Sequence, residues 1–61
     1  MGHPRTIWAR GITPNEIGKL VVLPDGTTGF LRSAEHLDGT SILHMVVAVD
    51  VQRDAEVVVY D

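Results

Sequence analysis

Apolar and polar positions alternate with a period of two over much of the chain, most densely between Ser41 and Tyr60. The run Ile42 to Val51 is rich in β-branched residues, which lose rotamer freedom in a helix but fit a pleated surface. It predicts a strand. Leu43, Met45, Val47, Val49 and Val51 share its expected core face, while Ile42, His44, Val46, Ala48 and Asp50 share the other. A straight strand of this length would reach on the order of 35 Å, whereas a globule of this size has a radius of gyration of roughly 10 Å. The strand must therefore bend or break, and Ala48 or Asp50 is the expected bend point.

Glu56 to Tyr60 reads as the next strand, hairpin-paired with the first across the polar loop around Arg53. A two-residue loop at Arg53-Asp54 would put Glu56 on the core face and lacks the Gly or Asn that such loops favour. An odd-numbered loop centred on Arg53 instead sets Val57 and Val59 beside Val49 and Val47 and leaves Glu56, Val58 and Tyr60 outside. Ile42, Val46, Ala48, Val58 and Tyr60 then form an outer apolar patch larger than an isolated sheet should expose.

A second hairpin is expected from Lys19 to Arg32, turning at Pro24-Asp25-Gly26-Thr27. A two- or four-residue loop pairs Leu23 with Thr28, Val21 with Phe30, and Lys19 with Arg32. Two apolar sets compete for its buried face: Leu20, Val22 and Leu31, or Val21, Leu23 and Phe30. With the latter outside, Phe30 lies between two cations.

The connectors are short. Thr13-Pro14-Asn15-Glu16 has the form of a helix start, with a Thr cap, Pro at the first helical position and Glu at the third, and Gly18 stops it after one turn. Ser33 is expected to cap another single turn through Ala34-Glu35-His36-Leu37, with Leu37 as an inward plug and Asp38-Gly39 as the turn into the long strand. Residues 1–10 read as an N-terminal arm before a domain spanning 11–61, with Thr6 to Ala9 available as an edge strand. Trp8 is either the arm's anchor on a partner or a plug over one end of the core.

Sixty-one residues make one domain, burying roughly 60% of the unfolded surface. With no cysteine, disulfides and thiolate metal sites are excluded, which makes oligomerisation or docking the expected aid to stability. No apolar run reaches the 18 to 20 residues of a spanning helix and no leader pattern opens the chain, so a soluble, cytoplasmic protein is expected, or a virion-associated one if phage-encoded. One Lys against four Arg, with much Val, Gly and Asp, hints at a GC-rich bacterial or phage gene.

Charge is uneven. Residues 1–20 carry Arg5, Arg10 and Lys19 against Glu16, whereas residues 21–61 carry Arg32 and Arg53 against seven acids, and the whole is −3. An acidic body does not match a general nucleic-acid binder.

Chemistry-bearing motifs are scarce. Glu35, His36, Asp38 and His44 are the residues with metal-ligand character, but their spacing matches no zinc pattern. Neither a nucleophile elbow, a phosphate-binding loop nor a His-Glu-x-x-His motif occurs. Met1-Gly2 with Thr6 meets the formal myristoylation pattern, and Met1-Gly2-His3 could chelate copper through a free amine. No cofactor is expected.

These elements predict an all-β domain, similar in architecture to small half-open barrels of four to five antiparallel strands of the Src-homology-3-like or oligonucleotide-binding kind, with one-turn helical connectors. The expected function is a non-catalytic structural or docking module that binds a protein partner or self-assembles as an accessory subunit. Its expected contacts are Arg5, Trp8, Arg10, Ile42, Val46, Val58 and Tyr60, residue types enriched at binding hot spots together with the outer patch. The alternative is a nucleic-acid- or ribosome-associated barrel, with Trp8 and Phe30 stacking on bases and Lys19, Arg32, Arg5 and Arg10 meeting phosphates.

Overall fold

The computed structural model describes residues 3–61. Seven antiparallel strands form two sheets: β1 (Pro4–Trp8), β2 (Leu20–Val22), β3 (Thr28–Phe30), β4 (Ser33–Leu37), β5 (Thr40–His44), β6 (Ala48–Gln52) and β7 (Glu56–Tyr60). The four-stranded sheet has the order β1-β7-β2-β3 and the three-stranded sheet β4-β5-β6. The all-β class matches the period-two reading, and among the described residues the strands close no barrel.

The expected long strand breaks, at Met45–Val47 rather than at Ala48 or Asp50. β5 turns back on itself and pairs with β6, His44 facing Ala48 and Leu43 facing Val49. Because three residues separate His44 from Ala48, side-chain phase survives the reversal. Leu43 and Met45 are buried and Val49 and Val51 pack against the core, but Val47 sits on the turn and is 61% exposed.

The expected pairing across Arg53 does not form. β7 lies between β1 and β2, with Arg5 facing Val59 on one side and Val21 facing Val59 on the other. The Arg53 loop is a crossover between sheets. Val57 and Val59 are nonetheless fully buried, since alternation sets which face of a strand is apolar without choosing its neighbours.

The β2–β3 register is one residue away from the expected one: Leu20 faces Phe30, Val21 faces Gly29 and Val22 faces Thr28. Leu23 N–H donates to Thr27 C=O at 2.8 Å, so the loop has three residues, Pro24-Asp25-Gly26. Gly26 takes φ 93°, the left-handed position of such loops, which glycine fills without a Cβ penalty. The Asp25 carboxylate accepts from Thr27 N–H at 2.9 Å and locks the turn. An odd loop sends Val21, Leu23 and Leu31 to the core and Leu20, Val22 and Phe30 outward.

Thr13-Pro14-Asn15-Glu16 forms the expected capped turn, a 3₁₀ helix at Pro14–Glu16 with both halves of a capping box. A further 3₁₀ turn, Ala9–Gly11, carries the fully buried Ala9. The helical turn expected over residues 34–37 is instead strand β4, joined to β5 by the two-residue turn Asp38-Gly39. Leu37 faces Thr40 and is half exposed, so it is no plug. Of the two options for the N-terminal residues, the edge strand is the one formed, over Pro4–Trp8 rather than Thr6 to Ala9. β1 pairs along the full length of β7, Ile7 packs on the core, and Ala9 and Arg10 donate backbone bonds to Ala55 and Arg53.

The core lies between the two sheets: Ala9, Ile12, Val21, Leu23, Leu31, Leu43, Met45, Val57 and Val59. Gly29 makes room for Met45, as a Cβ added there would stand 3.4 Å from Met45 Sδ. Among the described residues no helix is long and apolar enough to cross a membrane.

Candidate functional site: the outer face of the four-stranded sheet

Residues directly opposite in antiparallel strands share a face. Pro4, Tyr60, Leu20 and Phe30 therefore form one row across all four strands, and Thr6, Val58, Val22 and Thr28 form the next. Trp8 and Glu56 continue it beyond the shorter β2 and β3. At about 4.8 Å between strands the first row spans about 14 Å. Phe30 is 65% exposed, Trp8 47% and Tyr60 36%. Glu56 is the one charged residue among these strand positions. Sequence reading missed this grouping because it depends on β7 lying between β1 and β2.

Trp8, Val58 and Tyr60, expected as partner contacts, thus lie together, joined by Phe30, which belonged to the alternative reading. Arg10 Cζ stands 5.0 Å from the centroid of the Trp8 ring, a cation–π contact that holds the indole at the edge of the face. Ile42 and Val46 lie elsewhere. Ile42 is on the outer side of the three-stranded sheet between Glu35 and Asp50, and Val46 is on the β5–β6 turn. The expected patch joining them to Val58 and Tyr60 is therefore divided between two sheets.

Arg5 lies on the opposite side of β1 from Trp8 and is held within the fold. Its Nε donates to Asp61 Oδ2 at 2.5 Å and its Nη2 to Asp61 Oδ1 at 3.1 Å and Glu16 Oε2 at 2.9 Å. Lys19 Nζ donates to the same Asp61 carboxylate at 2.6 Å. Hydrogen bonds from Arg5 and Lys19 hold the Asp61 carboxyl down to about 2, and Asp61 and Glu16 in turn raise the Arg5 guanidinium above its ordinary range. Burial alone would raise Glu16, but the Thr13 backbone N–H, Arg5 and the Thr13 hydroxyl together hold it below the ordinary carboxylate range.

Lys19 does not frame Phe30. Leu31 N–H donates to Lys19 C=O at 2.9 Å, which puts Lys19 in phase with Leu31 and opposite to Phe30. Arg32 follows Leu31 at the passage from β3 to β4, where its N–H donates to His44 C=O. Of the two cations expected around Phe30, Lys19 is therefore on the other side of the strand.

The residues with metal-ligand character are dispersed. His36 Nε2 lies 2.9 Å from Ile12 C=O and Nδ1 2.8 Å from Ser41 Oγ. A carbonyl only accepts, so Nε2 carries the proton and, in the neutral ring, Nδ1 accepts from the Ser41 hydroxyl. This serine–histidine pair has the composition of a nucleophile and base, but Ser41 is completely buried and offers no path to a substrate. It is a clip between β5, β4 and the chain at Ile12. Glu35 Oε2 lies 3.6 Å from His44 Nε2 on the outer side of the sheet. Among the described residues no three His, Asp or Glu converge as metal ligands. The Met1-Gly2 patterns lie outside the described residues.

The surface notches are open: one beside Trp8 is lined by Thr6, Ile7, Gly11 and Glu56, another by Arg10, Gly39, Gln52, Arg53 and Asp54. No protein-family model matches the chain, and no curated protein or solved structure matches it.

Proposed function

We propose that the protein is a non-catalytic docking module whose outer four-stranded face binds a protein partner with an apolar surface and a basic rim. The observation that carries this reading is the row Pro4–Tyr60–Leu20–Phe30, apolar across every strand of one sheet and flanked by Val58, Val22 and Trp8. Large exposed aromatics on a flat support supply much contact area with little entropy to lose. Basic residues at the partner's rim are argued from charge, since Glu56 borders the face and the chain carries −3. The alternative of a nucleic-acid partner is less favoured, because Arg5 and Lys19 are spent on Asp61 and Glu16.

The fold kinship belongs to the same proposal. The chain from Thr28 to Leu37 passes from one sheet to the other at Leu31-Arg32, as a shared strand does in half-open barrels of the Src-homology-3-like or oligonucleotide-binding kind. A bacterial or phage accessory subunit, cytoplasmic or virion-associated, fits such a module.

The test compares wild type with Phe30→Glu as baits in the native lysate, after circular dichroism has shown both folded. One stoichiometric protein retained by wild type, lost with Phe30→Glu and weakened by salt, supports the reading. Equal retention by both baits refutes it, and co-purified nucleic acid, read from the 260/280 nm absorbance ratio, turns it to the alternative.

A further inference from the structure

The β5–β6 turn is built from residues that oppose turning. Met45, Val46 and Val47 include no Gly, Asn, Asp or Pro, the types that supply turn geometry, and two are β-branched residues that favour extended chain. None of the three takes a positive φ. The reversal is tight, with Met45 N–H donating to Val47 C=O across Val46 at 3.1 Å. Val46 and Val47 are left 86% and 61% exposed. Local preference and observed conformation disagree here, and it is the opposite of what a hairpin tip ordinarily uses.

The register removes the conflict if the turn opens. The β5–β6 pairs, His44 with Ala48 out to Thr40 with Gln52, are symmetric about Val46. An opened Thr40–Gln52 segment can therefore pair antiparallel with the same segment of a second copy in an unchanged register. Val46 then faces its own counterpart on a two-fold axis, and Met45 faces the partner's Val47. Phase is also kept. Val47, exposed on the closed turn, joins Leu43, Met45, Val49 and Val51 on the inner side. Length argues the same way: a continuous strand over these residues runs about 40 Å, more than the 34 Å longest dimension of the monomer, so it is accommodated only between two lobes.

We propose that the chain forms an exchanged dimer in which the β5–β6 turn opens and residues 48–61 of each copy complete the fold of the other. Each lobe keeps the contacts of the closed monomer, now made between two chains, with the other copy's β7 lying between β1 and β2, while the closed turn is replaced by new pairing at Met45–Val47. Exchange of identical elements is a low-cost route to a symmetric dimer, and a short, strained hinge favours it. In each lobe the outer face of the four-stranded sheet is rebuilt with Val58 and Tyr60 from the other copy's β7, and the argument for exchange uses none of its residues, so this inference stands apart from the proposed function.

The test uses the full chain refolded from denaturant at low and at millimolar concentration, separated by size exclusion with light scattering. Because the chain has no cysteine, Ile42→Cys with Asp50→Cys, at facing positions of β5 and β6, reports connectivity. Oxidised dimer should run as covalent dimer on a denaturing, non-reducing gel, since the disulfides then join different chains. A separate variant, Val46→Asn with Val47→Gly, supplies the missing turn chemistry and should lower the dimer fraction at least tenfold. Absence of dimer after concentrated refolding overturns the proposal, as does a dimer whose disulfides lie within each chain. A dimer fraction unaltered by the turn variant overturns it too.

Discussion

Arg5 and Asp61, fifty-six positions apart, meet through a two-pronged guanidinium–carboxylate contact with N···O distances of 2.5 and 3.1 Å. The contact joins edge strand β1 to the residue after β7, and it extends through Glu16 to the 3₁₀ turn at Pro14–Glu16 and through Lys19 to the chain that follows it. Both carboxylates are held below their ordinary values. A carboxylate depressed in the folded state contributes stability that is fully present above its unfolded value and is lost as pH falls through the folded one. The melting temperature is therefore expected to fall between about pH 4.5 and pH 2. Asp61→Asn should flatten this dependence, and thermal unfolding followed by circular dichroism checks it. An unchanged slope in the variant would remove the network from the account of acid sensitivity.

Glu16 is a buried anion with three described donors, Thr13 N–H, Thr13 Oγ1 and Arg5 Nη2. Replacement by Ala strips the cap and leaves those donors short of a partner. The expected loss is about 1–3 kcal/mol, read as a lower urea midpoint. Asn15→Ala, whose exposed side chain is outside this network, should stay within about 0.5 kcal/mol of wild type.

Gly29 faces Met45, and the contacts of an added Cβ are with the Met45 side chain at 3.4 to 4.0 Å. A flexible thioether can yield a few tenths of an ångström. Gly29→Ala is expected to be neutral or stabilising by up to about 0.5 kcal/mol, since it also reduces the freedom of the unfolded chain. Gly29→Leu should instead displace Met45 and lose about 1–3 kcal/mol. The denaturation midpoint should fall for Gly29→Leu and not for Gly29→Ala, and equal losses would contradict the packing described.

Trp8 and Ala9 are neighbours with opposite environments, one half exposed on the outer face of the four-stranded sheet and one completely buried. Trp8→Ala is expected to change stability by under about 1 kcal/mol and, if the proposed docking takes place on this face, to weaken it tenfold or more. Deletion of residues 1–10 removes β1, Ile7 and Ala9 together, and the truncated chain should lose its β-sheet circular dichroism. A truncated protein that remained folded would restore the detachable arm.

Val47 is placed in the core by period-two reading, where a charge would unfold so small a domain. On the closed turn of the monomer, the form to which this prediction applies, it is 61% exposed. Val47→Asp is accordingly expected to fold with a midpoint within about 0.5 kcal/mol of wild type, and unfolding of that variant would put the side chain back inside.

Several features were settled by short-range chemistry and so were legible in the sequence. β-branched alternation decides strand over helix and which side of β5, β6 and β7 is apolar. Thr13, Pro14 and Glu16 cap a turn within four residues, and Asp25-Gly26 and Asp38-Gly39 mark reversals because glycine reaches left-handed φ. What pairs with what belongs to the tertiary structure. An alternating strand such as β7 offers the same ladder groups to any neighbour, so nothing local distinguishes pairing with β6 from its place between β1 and β2. Ser33–Leu37 has little strand propensity of its own, yet becomes β4 because the two-residue turn at Asp38-Gly39 lays it against β5. One residue in the length of the Pro24-Asp25-Gly26 loop decides that Phe30 faces Gly29's opposite side, out toward solvent beside Leu20 and Tyr60. The outer face of the four-stranded sheet exists through these pairings alone, because its residues come from four strands between Pro4 and Tyr60 and share a surface only after β7 has been inserted between β1 and β2.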